Sequence, residues 1–410
     1  MTNEVKNEPE LRFPEFEDAW KIKKLIDLGE YNKSYSFSRA IEGEGYIHHI
    51  HYGDIHSKLP SKIDKINLLP TITENRDFNF LQKGDIVFAD ASEDYKDLGK
   101  AVLFDINGEN VIAGLHTHAF RVNNQVVSEF LINYTKTLAY YKFIKKQGTG
   151  ISVLGISKKN LSNFNLGLPE YNEQKKIGDF FSKLDRQIEL EEEKLELLEQ
   201  QKKGYMQQIF SQELRFKDDK GNNYPEWEEK LISDIGKVVT GNTPSKKENE
   251  YWNSNQYVWV TPTDISNKKN ISTSAYHLSQ KGFEKARKLP KNTLLITCIA
   301  SIGKNAILRI EGACNQQINA VIPNDNYDVD YLYYAFEEVS KLMKSIAGKT
   351  ATQIVNKGIF EKLLLNVPIL AEQKKISDFL SKIDILIDMQ DRKIEALKKR
   401  KQAFLQKMFV

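Results

Sequence analysis

Residues 168–210 read LPEYNEQKKIGDFFSKLDRQIELEEEKLELLEQQKKGYMQQIF, and residues 367–409 read VPILAEQKKISDFLSKIDILIDMQDRKIEALKKRKQAFLQKMF. A constant shift of 199 aligns them without a gap, with 18 identities in 43 positions. Shorter echoes lie upstream of each copy. Phe13-Pro14-Glu15-Phe16 returns as Tyr224-Pro225-Glu226-Trp227, and Lys24-Leu25-Ile26 as Lys230-Leu231-Ile232. The chain is a tandem duplication in which a module and a long helix occur twice.

Spacing identifies the helices. Ile177, Phe181, Leu184, Ile188, Leu195, Leu198, Tyr205 and Ile209 alternate in steps of four and three, with Glu191 and Lys202 filling the two polar seam positions. The second copy repeats this with Ile376, Leu380, Ile383, Ile387, Ile394, Leu397, Phe404 and Met408, interrupted by Gln390 and Lys401. A 3.5-residue repeat sustained this long predicts a coiled coil. Pro169 and Pro368 mark the starts, because the residue before a proline is held extended. Charge predicts the pairing. Residues 172–210 hold 7 basic and 9 acidic side chains, whereas 371–409 hold 10 and 6, so the helices favour each other over themselves. The aromatic ends Tyr205, Phe210, Phe404 and Phe409 predict apolar surface left for a partner.

The 410 residues suffice for two or three folding units. Only Cys298 and Cys314 occur, which excludes a disulfide scaffold and a cysteine-rich zinc module. No apolar run approaches a membrane span, and the first 20 residues lack a signal peptide's apolar stretch, so a cytoplasmic chain is expected. A net charge of +3 permits local basic faces without demanding nucleic acid. The fold expected is α+β: a flexible N-terminus over 1–10, modules at 11–168 and 217–367, and long helices within 169–216 and 368–410 that pair as a coiled coil. Strands are predicted near 84–89, 100–104, 293–297 and 305–308, with helices over 129–146 and 331–346.

The signature Pro169 … Glu173-Gln174-Lys175-Lys176-Ile177 … Leu184-Asp185 recurs as Pro368 … Glu372-Gln373-Lys374-Lys375-Ile376 … Ile383-Asp384. On these motifs the chain resembles the specificity (S) subunit of Type I restriction–modification systems along essentially its whole length. The opening of the second module, Trp227 … Gly241-Asn242-Thr243-Pro244-Ser245 … Tyr251-Trp252 … Trp259-Val260, matches the family's common form. The first module departs from it, with Glu30-Tyr31-Asn32-Lys33-Ser34 after Gly29. The resemblance implies two target recognition domains that each read one half of a split site in double-stranded DNA. It also implies that the helices, at 169–216 and 368–410, are spacers that pack as an antiparallel coiled coil, fix the gap and dock two modification (M) subunits. Glu173, Gln174, Ile177, Asp185, Glu372, Gln373, Ile376 and Asp384 are then candidates for helix or M-subunit docking. Restriction subunits would add ATP-dependent cleavage. No catalytic centre, cofactor or metal is implied in this chain, and S-adenosylmethionine, ATP and Mg2+ would be used by its partners.

The residues agree: there is no phosphate loop of the Gly-x4-Gly-Lys-Ser/Thr kind and no Asn/Asp-Pro-Pro-aromatic tetrapeptide. Candidate DNA contacts in the first module are Tyr31, Asn32, Lys33 and Arg39, on a DNA edge or an ordinary solvated loop. In the second, Thr243, Ser245, Lys246 and Lys247 form a donor-rich turn suited to phosphate and base-edge contact, or simply a solvated loop. Lys100 and Lys304 follow Gly99 and Gly303 in equivalent places, which suggests a shared phosphate contact. Gln316 and Gln317 either contact adenine or brace a loop. His48, His49, His51, His56, His116 and His118 lack nearby cysteine and read as surface or DNA-facing groups rather than metal ligands. A stand-alone nuclease or methyltransferase and a purely structural adaptor are the competing readings.

Overall fold

In the computed structural model, residues 8–252, 254–266, 268–348 and 354–410 are described. Residues 1–7, most of the stretch expected to be flexible, lie outside them. Of the rest of that stretch, Glu10 pairs with Lys407 at 2.6 Å; just beyond it, the Leu11 amide donates to the Lys407 carbonyl at 2.8 Å.

The seam forms two long helices, Tyr171–Phe210 and Leu370–Lys407. The compact units do not follow the sequence repeat. One comprises residues 1–193 and 391–410, the other 194–390. Each therefore joins one module to the N-terminal half of the helix leaving it and the C-terminal half of the other helix. Within each unit the two halves run antiparallel. In the first, Phe180 packs edge-on against Phe404, and Lys398 reaches Glu192 at 2.5 Å. In the second, Tyr205 packs edge-on against Phe379, and Lys202 reaches Asp384 at 2.7 Å. Every seam residue named above is buried or half-buried.

The aromatic helix ends are not left over for a partner, as the sequence suggested. Leu405, Met408 and Phe409 enter the core of the first module, where Phe409 meets Phe130, Tyr134 and Phe181. Met206 and Ile209 enter the second core, with Phe210 against Trp227 and Tyr331. Each helix end thus completes an apolar core, the contribution that dominates folding stability.

The module interiors scarcely align in sequence, yet their topology is the same. In the first, a five-stranded sheet runs Gly29–Tyr31, Thr117–Val122, Ile86–Ala89, Ala101–Phe104, Lys62–Ile63. In the second it runs Gly236–Thr240, Ile318–Pro323, Thr293–Thr297, Asn305–Leu308, Asn270–Ile271. Beside each lies a three-stranded sheet whose central strand, Glu42–Ile50 or Tyr257–Val260, has one antiparallel neighbour and one parallel neighbour. A two-stranded ribbon ties the module's start to its end, Lys21–Lys24 with Asn165–Leu168 and Glu228–Leu231 with Leu364–Val367. The predicted helix at 331–346 is Val329–Ala347. Its counterpart breaks into Ser128–Tyr134 and Leu138–Gln147, because the Thr137 side chain caps the second piece by accepting from the Tyr140 amide.

Candidate nucleic-acid interface and helix anchors

The repeated Glu-Gln at each helix start has one structural use. Glu173 and Glu372 are fully buried, and each carboxylate is gripped by one arginine. Arg12 donates to both Glu173 oxygens at 2.8 and 2.7 Å; Arg215 donates to both Glu372 oxygens at 3.0 Å. These bonds raise the pKa of both guanidinium groups. The following glutamine clamps a loop. Gln174 Oε1 accepts from the Val127 amide at 2.9 Å, while its Nε2 donates to the carbonyls of Pro169 (2.9 Å) and Gln125 (3.0 Å). Gln373 repeats this with the Asp328 amide (2.9 Å) and the carbonyls of Pro368 (2.8 Å) and Asn326 (3.3 Å). Ile177 and Ile376 are buried beside them. These six residues are spent inside their own unit and present no surface to another subunit.

Asp185 and Asp384 meet the polar interruptions of the opposite helix. Lys401 pairs with Asp185, and Lys202 with Asp384. A cation in an apolar seam would be costly alone, so the facing carboxylate favours this register. Each aspartate is also tied to its module. Lys136 lies 3.8 Å from Asp185, and the Tyr334 hydroxyl donates to Asp384 at 2.5 Å. Burial, aided by the nearby Lys401, pushes Lys136 down to about 8. In the second module Lys269 reaches Asp330 at 2.6 Å and Ser381 at 2.8 Å. Burial pushes the Asp330 carboxyl up, but hydrogen bonds from Lys269 and Arg309 hold it below the usual range. Sequence reasoning missed these anchors. The lysines in the seam were visible, but only the fold brings their partners within reach.

The candidate DNA residues gather on matching loops. The Tyr35 amide donates to the Ala113 carbonyl at 2.9 Å, as the Asn242 amide does to Cys314 at 2.9 Å. This places the loop that leaves Tyr35 where the loop that leaves Asn242 sits, an equivalence the sequence conceals. Lys246, Lys247, Ser245 and Lys33 are exposed. Arg39 is exposed too, but it bridges Asp54 at 2.9 Å and Glu42 at 3.2 Å. Tyr31 and Asn32 are half-buried, with Lys158 donating to the Asn32 carbonyl at 3.2 Å and lying over the Tyr31 ring. Burial raises the Tyr31 hydroxyl to about 12, so it stays protonated.

Lys100 and Lys304 are equivalent in backbone pairing as well as in sequence. Ala89 and Lys100 share the contact made by Thr297 and Lys304, and Gly99 and Gly303 both have positive φ (72° and 85°). A Cβ on Gly303 would lie 2.1 Å from the Ser340 hydroxyl, so the turn requires glycine. Lys100 donates to the His56 carbonyl at 2.6 Å, and Lys304 borders an open cleft with Ser301 and Lys344. Three histidines of the first module are used internally: His49 faces Glu42 at 3.1 Å, His48 the Leu69 carbonyl at 2.9 Å, and His118 the Ile156 carbonyl at 2.9 Å. Among the described residues no group of three or more such side chains is placed to hold a metal ion, and no helix is long and apolar enough to cross a membrane.

Two modules of one topology, each carrying a donor-rich loop and anchored to long helices, define a duplicated two-module protein. The comparisons give the family. The chain matches the Type I restriction modification DNA specificity domain twice, over residues 17–200 and 224–399, and belongs to that family. It is 34% identical over 197 residues to the Type I restriction enzyme MjaIX specificity subunit of Methanocaldococcus jannaschii, covering 46% of this chain and 45% of that protein. It is 24% identical to the HindI specificity subunit of Haemophilus influenzae, covering 88% and 94%. Its fold is similar to the crystal structure of the S subunit from M. genitalium (TM-score 0.59, 14% identity, 98% and 99% covered). It is equally similar to a chain from a structure of type I complex assembly and conformational transition (TM-score 0.59, 16% identity, 95% and 97% covered).

Proposed function

We propose that this chain is the DNA-specificity subunit of a Type I restriction–modification complex, in which each module reads one half of a bipartite site and the paired helices set the gap. The observation that carries this reading is one framework built twice with different loops. The loop that leaves Tyr35, Ser36-Phe37-Ser38-Arg39, starts from the same place as the loop that leaves Asn242, Thr243-Pro244-Ser245-Lys246, so the two modules offer different donors and acceptors from a matching loop. Base edges are read by such side chains, while lysines and arginines hold phosphates.

The helices dock two M subunits. Supporting this, the second unit leaves Leu197, Ile385, Leu386 and Met389 exposed, Leu197 and Met389 by more than 60%. The chain itself performs no chemistry; S-adenosylmethionine, ATP and Mg2+ serve the modification and restriction subunits. Exchanging residues 221–366 for the second module of another family member, with the M subunit co-expressed, tests the reading. One half of the methylated motif should change and the other should persist. A motif that changes in both halves, or in neither, refutes two independent readers.

A further inference from the structure

Two neighbouring amides of the second module point to opposite uses. Gln317 turns inward, its Oε1 accepting from Asn315 Nδ2 at 3.1 Å and its backbone N–H donating to Asn315 Oδ1 at 3.0 Å. Gln316 is exposed, and its Oε1 accepts a 2.6 Å hydrogen bond from the Thr243 hydroxyl. The loop carrying Thr243 is itself fixed. The Gly241 amide donates to the Ile318 carbonyl at 3.0 Å, and the Asn242 amide to the Cys314 carbonyl at 2.9 Å. A Cβ on Gly241 would lie 2.2 Å from the carbonyl oxygens of both Cys314 and Asn315, so only glycine permits this approach. Asn242 ties in a third segment: its Nδ2 donates to the Lys285 carbonyl at 2.9 Å, and its Oδ1 accepts from the Arg287 amide at 2.7 Å. The Arg287 guanidinium donates to the Thr240 carbonyl at 2.6 Å. An oriented amide is therefore held by the loop that carries exposed Lys246 and Lys247, and exposed Arg287 is bonded to the base of that loop.

A glutamine oriented before binding loses less side-chain freedom when it binds. Thr243 occupies one lone pair of Oε1, which leaves an acceptor and two Nε2 donors in one plane. Adenine offers the complement in the major groove, an N6 donor beside the N7 acceptor, whereas guanine offers two acceptors and cytosine a donor alone. We infer that Gln316, held by Thr243, reads an adenine in the half-site of the second module, with Thr243 as a positioning residue. This rests on the DNA reading proposed above.

The first module lacks the contact. Its Gly114 amide donates to the Ile50 carbonyl as the Asn315 amide does to Val260, and its Asp90 amide donates to the His116 carbonyl as the Cys298 amide does to Gln317. Leu115 thus holds the place of Gln316, and its side chain has neither donor nor acceptor.

The test is methylome sequencing of cells carrying the full chain with its M subunit. In the second module's half-site, one A·T pair other than the methylated one should lose discrimination about tenfold to a hundredfold in Gln316→Leu. The first half-site and the gap should be unchanged. Thr243→Val should relax that same pair more weakly, and Thr243→Ser should retain it. Gln316→Glu, nearly isosteric, should shift the preference toward cytosine, whose N4 donates to a carboxylate; it also serves if the leucine variant folds poorly. An unchanged motif in variants that melt like the parent overturns the inference, as does a change confined to a G·C pair. Exchange of the whole module separates the two levels. If exchange alters one half-site and Gln316 variants alter nothing, only the inference fails; if exchange alters neither, the DNA reading fails.

Discussion

Arg12 closes on Glu173 with a pair of parallel hydrogen bonds, 2.8 and 2.7 Å, across 161 positions of sequence, and the guanidinium also donates to the Asp18 carbonyl at 2.6 Å. The bond joins the start of the module to the helix after it. Arg215 and Glu372 do the same in the second unit, with the Pro225 carbonyl at 2.6 Å in the place of Asp18. Removing one partner of such a buried pair leaves the other charge without compensation, at a cost of about 3–5 kcal/mol. Arg12→Met should therefore destabilise the first unit by roughly that amount, and Arg215→Met the second. Hydrogen exchange resolved by peptide checks it: protection should fall in the unit that carries the substitution and persist in the other.

Lys136 gives an alkaline signature. Burial, then Lys401, lowers its folded pKa to about 8, below the unfolded value of about 10.4. Between those values the unfolded chain holds the proton that the folded chain has released, so stability rises with pH across this window. Below pH 8 the cost of the buried cation is present in full, roughly 3 kcal/mol. Lys136→Met should leave the protein at least as stable at pH 7, offset in part by lost bonds to Ser61 (3.0 Å) and Asn133 (3.2 Å). It should also abolish the rise between pH 8 and 10, as read by urea unfolding.

Acid should act on one unit first. Six of the seven histidines lie in the first module. Burial lowers the pKa of His49, His51, His56 and His118. A lowered histidine pKa means the unfolded chain binds the proton more readily, so stability is whole above about pH 6.5 and falls as pH drops below it. Peptides of the first module should lose exchange protection between pH 7 and 5.5 before those of the second. Equal loss in both modules would contradict the assignment.

The spacer role predicts a length rule. Seven residues inserted into each helix, after Glu193 and after Asp391, add two turns at 3.5 residues per turn and preserve the seam. They lengthen each helix by about 10 Å, near three base-pair rises of about 3.4 Å. The unread gap of the methylated motif should widen by about three base pairs with both half-sites intact. Two residues inserted at the same points turn the seam by about 200° and should abolish activity. An unchanged gap in the seven-residue variant would remove the helices from the ruler's role.

The sequence alone determined the duplication, the helices and their seam, because a 3.5-residue period records burial at every turn. Glu191, Lys202, Gln390 and Lys401 fall in the seam where the periodicity put them. The strands at Thr293–Thr297 and Asn305–Leu308 were legible for the same reason: a buried strand is a short apolar run between turn signals. The shared topology of the modules was not, since many sequences satisfy one backbone framework and the loops bearing the recognition residues diverge freely on it. Nor did local pattern reveal that Glu173 and Glu372 face inward. A charged residue after a proline reads as surface until an arginine from the far side of the module arrives to pair with it. Only the tertiary structure supplied that arginine, turned Gln317 inward while holding Gln316 outward, and carried Leu405, Met408 and Phe409 into a core whose other buried residues lie more than two hundred positions earlier. Each is a contact between segments distant in sequence, and periodicity encodes which face of an element is buried but not what it is buried against.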